Sequence, residues 1–223
     1  AAAAEKRAVA KAARDAAAAA KRESRIEAAT AMSESAEAAV AVKMASESEL
    51  KAARDARYAA RKHRNQRRKD ADASPYINHP IALANVLANE GGVVDATVLC
   101  AAVLHDTIED TKTTADELGQ LFGDKVTAIV LEVTDDKSLA KEVRKEEQVR
   151  HAPHISTEAK LVKLADKICN LRDILVSPPA DWSAERKRTY FEWAARVVAG
   201  LRGVHPGLEA EFDGLLARQS ELL

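Results

Sequence analysis

Aromatic residues make up only 4% of this sequence, two of its 223 residues are cysteine, and its charges cancel to a net −1. Each scarcity closes off a class. A β-sandwich fills the space between its sheets with aromatic and β-branched pairs, so a chain poor in aromatics and heavy in Ala reads as helices packed through small side chains. Cys100 and Cys169 stand singly inside apolar helical patterns with no CxxC spacing, the pattern of buried thiols rather than a disulfide framework. A net charge near zero gives no global field to gather nucleic acid or an anionic membrane surface. Any attraction for an anion must therefore be local. No stretch approaches the ~18 consecutive apolar residues of a membrane span, and the chain is expected to be intracellular, in the cytoplasm, with an organelle matrix as the alternative. It opens on four Ala residues without a Met. Acids lie among the bases of its first fifty residues, unlike the acid-poor transit peptides, although an import signal already removed stays open.

What is present is helical. Residues 1–47 are Ala-rich with interspersed Lys, Arg and Glu and few large apolar side chains. Helix propensity is high there, but such a helix has little to bury. This predicts an extension that stands apart or docks on a partner protein, ahead of a body at 48–223. The body opens with a helix over 48–69 that ends in the one dense basic run, Arg61 to Lys69. A helix follows Pro80 and stops at Gly91-Gly92; an apolar helix runs from Asp95 to Asp110; Thr114-Ala-Asp-Glu117 is a capping box. Asp124 heads the next helix, the charged segment from Lys141 to Arg150 is helical, and Ser156 caps a long one. Leu161, Leu164, Ile168, Leu171 and Leu175 form a three-four stripe on it. Ser177-Pro178-Pro179 ends that helix, Trp182-Ser183 leads into another, and the last begins at Leu208. No convincing strand emerges, so the fold class is all-α.

The chemistry concentrates in Leu104-His-Asp-Thr-Ile-Glu-Asp110. On a continuous helix, at about 100° per residue, His105, Asp106, Glu109 and Asp110 fit within one arc. A buried helix that ends in a histidine and three carboxylates needs a cation or a complete polar network. His79, His105, Asp106 and Asp166 are the candidate ligands. Two imidazoles and two carboxylates suit Mn²⁺, with Zn²⁺, Fe²⁺ or Mg²⁺ as alternatives. The competing reading has His79 as a loop residue and Asp166 paired with Lys163 or Lys167, and spacing alone does not separate the two. Glu109 and Asp110 could orient or deprotonate water. Asn170, one turn beyond Asp166, could hold a substrate oxygen, and Arg68 and Lys69 could cradle a polyphosphate. His63 reads as structural.

Arg67-Arg68-Lys69-Asp70, Ser74-Pro-Tyr-Ile-Asn-His-Pro80, Leu104 to Asp110, Glu132-Val-Thr-Asp-Asp-Lys137, Lys163-Leu-Ala-Asp-Lys167 and Asn170-Leu-Arg172 together resemble the HD-domain hydrolases of the RelA/SpoT group. The likeness is closest to the small alarmone hydrolases of the metazoan SpoT homologue type. It implies an HD-domain helical bundle with one Mn²⁺ on His79, His105, Asp106 and Asp166. It implies catalytic acids at Glu109 and Asp110, and substrate contacts at Arg68, Lys69, Asn170, Lys137 and Tyr190. The implied reaction removes the 3′-pyrophosphate of guanosine tetra- or pentaphosphate, a stringent-response alarmone; some relatives suggest NADPH 2′-phosphatase activity instead. Residues 1–47 depart from the small hydrolases. The alternative class is an accessory subunit of a larger assembly, with the Ala-rich segment as a docking arm. A nucleic-acid-binding role for the basic run is disfavoured, because only Tyr58 stands near it for stacking.

Overall fold

Helices begin here where capping side chains stand. In the computed structural model, which describes residues 51–222 and Arg22, Thr114 accepts from the Glu117 amide, Ser156 from Ala159 and Ser183 from Arg186. Each side chain satisfies one of the amides that a helix start leaves open. Contacts part the chain between Lys51 and Ala52, and the architecture that follows is that of the second unit. Apart from Arg22, the extension at 1–47 lies outside the described residues.

Residues 52–62 form α1. Then come α2 (Asn78–Asn85), a π-helical turn (Val86–Glu90), α3 (Ala96–Leu104), α4 (Thr107–Asp110), α5 (Ala115–Phe122) and α6 (Asp124–Val133). The chain continues through α7 (Lys141–His151), α8 (Thr157–Val176), α9 (Ala184–Ala199), α10 (Pro206–Ala217) and a closing 3₁₀ turn (Arg218–Glu221). Among the described residues the only β pairing is an isolated antiparallel bridge between Arg67 and Pro75. None of their helices is long and apolar enough to cross a membrane.

α8 is the axis. It packs against α2, α3, α6, α9 and α10. Its stripe buries Leu164, Ile168 and Leu171 completely, with Leu161 and Leu175 at the edge of the core. Removing one of these leucines to Ala costs about 2–5 kcal/mol. α3 is apolar on nearly every side and buries Val98, Cys100, Ala101, Ala102 and Leu104, so it fills the space between α2, α6 and α8. Cys100 and Cys169 are both buried, and neither is in a disulfide.

Several expected boundaries move. The first helix ends at residue 62 rather than 69, so Arg67 to Lys69 lie in the turn and bridge beyond it. α2 starts at Asn78, which makes His79 its second residue and Pro80 its third. Gly123, not Asp124, caps α6, at a φ of 87°. α10 begins at Pro206, where His205 supplies the cap. The correction that matters most is at 105–106: there is no single helix from Asp95 to Asp110. Asp106 sits at φ −96°, ψ 0°, in the bridge region that interrupts a helix. Thr107 Oγ1 donates to the Leu104 carbonyl at 2.6 Å, giving that carbonyl a side-chain partner at the break.

Candidate active site

The break between α3 and α4 turns His105 and Asp106 into the interior. His105 Nδ1 donates to the Ala102 carbonyl at 2.8 Å. A carbonyl only accepts, so Nδ1 carries the hydrogen, and in the neutral ring Nε2 is a lone pair. That Nε2 lies 2.8 Å from Asp106 Oδ2, yet outside hydrogen-bond geometry and without a hydrogen-bond partner. Two electron-rich atoms at this separation need a positive charge. Burial opposes a proton on His105, but Asp106 and Asp166 overcome it and push the imidazole up to about 9. A cation between them would take that proton's place.

His79, from the first turn of α2, faces the same point. It is buried, with Nε2 3.1 Å from Asp166 Oδ1. One ligand atom from each of His79, His105 and Asp166 lies within 4.8 Å of the others. Asp106 is not part of this closest group; its Oδ2 accepts from the Tyr76 hydroxyl. Asp166 is the most heavily bonded. Lys167 Nζ donates to Oδ2 at 2.9 Å and Asn170 Nδ2 to Oδ1 at 2.6 Å. Burial works against its charge, but Lys167, His79 and His105 hold the carboxyl well below the usual range. The Asp166–Lys167 pairing thus coexists with the histidine cluster, while Lys163 goes elsewhere. Its Nζ caps the Val133 carbonyl at 2.9 Å, tying α8 to the end of α6.

Glu109 and Asp110 ride on α4, at the cavity's edge. Glu109 Oε2 accepts from the Asp135 amide at 3.0 Å, and burial raises its pKa above the ordinary carboxylate range. Asp110 Oδ2 accepts from Gln66 Nε2 at 2.7 Å, and Lys137 pairs with its other oxygen. A hydrolytic site needs such acids held beside the ligands without being consumed by them.

The cluster lines a cavity of about 180 Å³ that also contains Arg68, Glu109, Asp110 and Asn170. Arg68, Tyr76, Asp110 and Asn170 also line a second space of about 290 Å³. Lys69, Trp182 and Tyr190 are shared with a third of about 530 Å³, walled by Lys141, Arg144, Lys145, Arg186 and Trp193. The polar ligands of the first space thus adjoin two spaces in which cations and aromatic rings stand together. Tyr190 packs between Trp182, tilted at 49°, and Trp193, edge-on at 67°, with ring centroids 5.7 and 5.1 Å away. Arg68 pairs with Asp173 and lies 5.8 Å over the Tyr76 ring. Lys137 contributes through its ion pairs with the acids.

Sequence reasoning missed Tyr76, Gln66 and the Lys141–Arg186 wall, and of its two candidate partners for Asp166 the structure selects Lys167 over Lys163. Two lysines flanking Asp166 on a helix otherwise lined with core residues were the available signal. Gln66 and Tyr76 sit in a turn, where no periodicity marks them.

Comparison with known proteins places this arrangement. Residues 56–197 match the HD domain family. The chain belongs to it. The HD-domain match runs from α1 into α9 and contains every cavity residue named above. The guanosine-3′,5′-bis(diphosphate) 3′-pyrophosphohydrolase MESH1 of Danio rerio is 56% identical over 158 residues, 71% of this chain and 88% of its own length. The human MESH1 is 56% identical over 162 residues, 73% of this chain and 90% of its own. A solved structure described as a metazoan ortholog of SpoT that hydrolyzes ppGpp superposes with a TM-score of 0.74 at 47% identity, covering 78% of this chain and 97% of that one. HD-domain hydrolases bind divalent metal ions, and the His79–His105–Asp166 group, with its partnerless imidazole lone pair, fits such an ion.

Proposed function

We propose that this chain is a metal-dependent hydrolase that removes the 3′-pyrophosphate from guanosine tetra- or pentaphosphate, releasing GDP or GTP. The observation that carries this reading is the convergence of His79, His105 and Asp166 ligand atoms within 4.8 Å. The same cavity holds two acids, an arginine and an asparagine. The identity to proteins of that named activity supports the substrate.

His79, His105 and Asp166, with Asp106 beside them, would hold one Mn²⁺. When bound, the ion offsets charge on a phosphoryl oxygen and acidifies water. Tyr76 holds Asp106 through its hydroxyl, while Lys167 and Asn170 fix Asp166. Glu109, with its pKa raised by burial, takes a proton from the attacking water, and Asp110 orients that water. The oxygen–phosphorus bond to the ribose 3′ oxygen breaks, the water's hydroxyl goes to the pyrophosphate, and the ribose oxygen gains the proton. Arg68, Lys69 and Lys137 meet the phosphates, Arg68 through its planar fork. Asn170 holds a substrate oxygen. Tyr190, between its two tryptophans, offers the purine a face to stack on. The third cavity's lysines and arginines suit the 5′-diphosphate.

Guanosine tetraphosphate and NADPH, each incubated with the protein and Mn²⁺, separate the possible substrates. The reading expects pyrophosphate from the first. Phosphate release from NADPH without pyrophosphate release from the alarmone would replace it with a 2′-phosphatase. We assign residues 1–47 to a separate extension that serves a protein partner and not turnover. Deleting them should leave kcat unchanged, and a loss of kcat would return them to the hydrolase body.

A further inference from the structure

Beyond the end of α1, a buried polar relay reaches the site from outside the ligand cluster. His63 is 2% exposed. Its Nδ1 lies 2.7 Å from Gln66 Oε1, and Gln66 Nε2 donates to Asp110 Oδ2 at 2.7 Å. The hydrogens in this relay are dictated from the acidic end. An ionised carboxylate only accepts, so the Gln66 amide must present Nε2 to Asp110. Its Oε1 then faces His63, and His63 Nδ1 must carry the hydrogen that this oxygen accepts. His63 Nε2 is left buried without a hydrogen-bond partner. No other bond competes for the ring.

The backbone holds Gln66 as firmly as the side chains do. Its amide donates to the His63 carbonyl at 2.9 Å, and its own carbonyl accepts from the Tyr76 amide at 3.2 Å. The Tyr76 ring lies 4.9 Å from the His63 ring. By contrast, the second partner of Asp110, Lys137, has a side chain 48% exposed. Lys137 can leave Asp110 for a substrate phosphate, whereas Gln66 stays.

We propose that Gln66 and His63 are positioning residues for hydrolysis: Gln66 fixes the Asp110 carboxylate toward the attacking water, and His63 locks the Gln66 amide against flipping. This rests on the assignment of Asp110 to water handling. Without the His63 hydrogen, the amide loses the bond that decides between its two orientations. The flipped form sets Oε1 against the carboxylate, two acceptors face to face.

Steady-state turnover of guanosine tetraphosphate tests this, with Mn²⁺ affinity from a paramagnetic-resonance titration and Tm measured alongside. Gln66→Met keeps the shape and removes both bonds. It should lower kcat about 10–100-fold, since misplacement of a reacting group by about 1 Å carries that order of loss. KM and Mn²⁺ affinity should stay near wild type, while Tm should fall by about 2–12 °C because the buried His63 donor loses its acceptor. His63→Asn places an amide NH where Nδ1–H stood and should restore most of the rate. His63→Gln, whose amide falls at the Nε2 position, should be as slow as Gln66→Met. Gln66→Met combined with Asp110→Asn should be no slower than Asp110→Asn alone, because Gln66 acts only through Asp110. A wild-type kcat for Gln66→Met beside a slow Asp110→Asn overturns the relay alone. So does a loss of Mn²⁺ affinity that tracks the loss of rate. A wild-type rate for Asp110→Asn overturns the Asp110 assignment itself and the relay with it.

Discussion

Lys167→Met isolates the electrostatics of the ligand cluster. The Lys167 side chain is 4% exposed, its Nζ lies 2.9 Å from Asp166 Oδ2, and it stands 4.4 Å over the Trp193 ring. Met fills nearly the same volume and can still rest its sulfur on the indole, so the change removes a charge and little packing. Removing one partner of a buried pair costs about 3–5 kcal/mol, because the remaining charge is left uncompensated. Two features pull the loss toward the lower end. Asp166 keeps bonds from His79 and Asn170, and Lys163, whose pKa is lowered by burial and by the nearby Lys167 charge, is relieved of that repulsion. At about 2–4 °C per kcal/mol for a chain of this size, Tm should fall by about 6–15 °C in a chelator. A divalent cation gives Asp166 a positive partner again, and the lysine no longer repels it. The rise in Tm on adding saturating Mn²⁺ should therefore be larger for the variant than for the wild type. Thermal melts followed by circular dichroism, with chelator and with Mn²⁺, read both numbers. A loss under about 1 kcal/mol, typical of an exposed pair, would refute the reasoning. An equal or smaller Mn²⁺ increment in the variant would refute it too.

Three further outcomes follow from the same structure. Tyr76→Phe frees Asp106 Oδ2 from its hydroxyl donor and should weaken Mn²⁺ binding about 10–100-fold, the usual effect of losing a partner behind a ligand; calorimetric titration checks it. Arg172 bridges Glu90 and Glu211, and its hydrogen bonds lower the Glu90 pKa. The pair therefore stabilises the fold above the ordinary carboxylate range, and the contribution is lost as pH falls through the depressed value. Because the pair is about one-third exposed, Arg172→Met should remove only about 1 kcal/mol at neutral pH and flatten the acid limb of the stability curve, which urea titrations at several pH values would show. Gly200→Ala places a Cβ 2.9 Å from both Ala152 Cβ and Pro153 Cδ; the strain between α9 and the end of α7 should cost about 1–3 kcal/mol, measured by urea unfolding.

How much of this was legible in the sequence depended on whether a signal was local. Thr114, Ser156 and Ser183 mark helix starts because a cap acts within four residues, and all three stand where expected. The stripe on α8 was equally plain, since one face of one helix carries it. The break at Asp106 was not. No Gly or Pro marks it, and the apolar run before it continues the helical pattern to the last residue. A contiguous helix and a helix broken at the ligands read alike until the Thr107 hydroxyl is seen on the Leu104 carbonyl. Residue types pointed to His79, His105 and Asp166, because imidazoles and carboxylates among core residues are costly without a partner. The role of Gln66 and the burial of Lys167 escaped for opposite reasons. A glutamine in a basic run looks solvated, and its partner is 44 residues away. A lysine beside an aspartate looks like a surface pair, and only the packing of α8 against α9 shows it to be buried.

One metal ion at the junction of α2, α3 and α8 would make this chain a nucleotide pyrophosphohydrolase. The most direct test of this is the rate of pyrophosphate release from guanosine tetraphosphate by protein stripped of metal with a chelator, followed as Mn²⁺ is titrated back. The stripped protein should release none and should reach full activity at one ion per chain, with His105→Ala silent throughout. Release that persists in the stripped protein, or a His105→Ala variant that responds to Mn²⁺ as the wild type does, would contradict it.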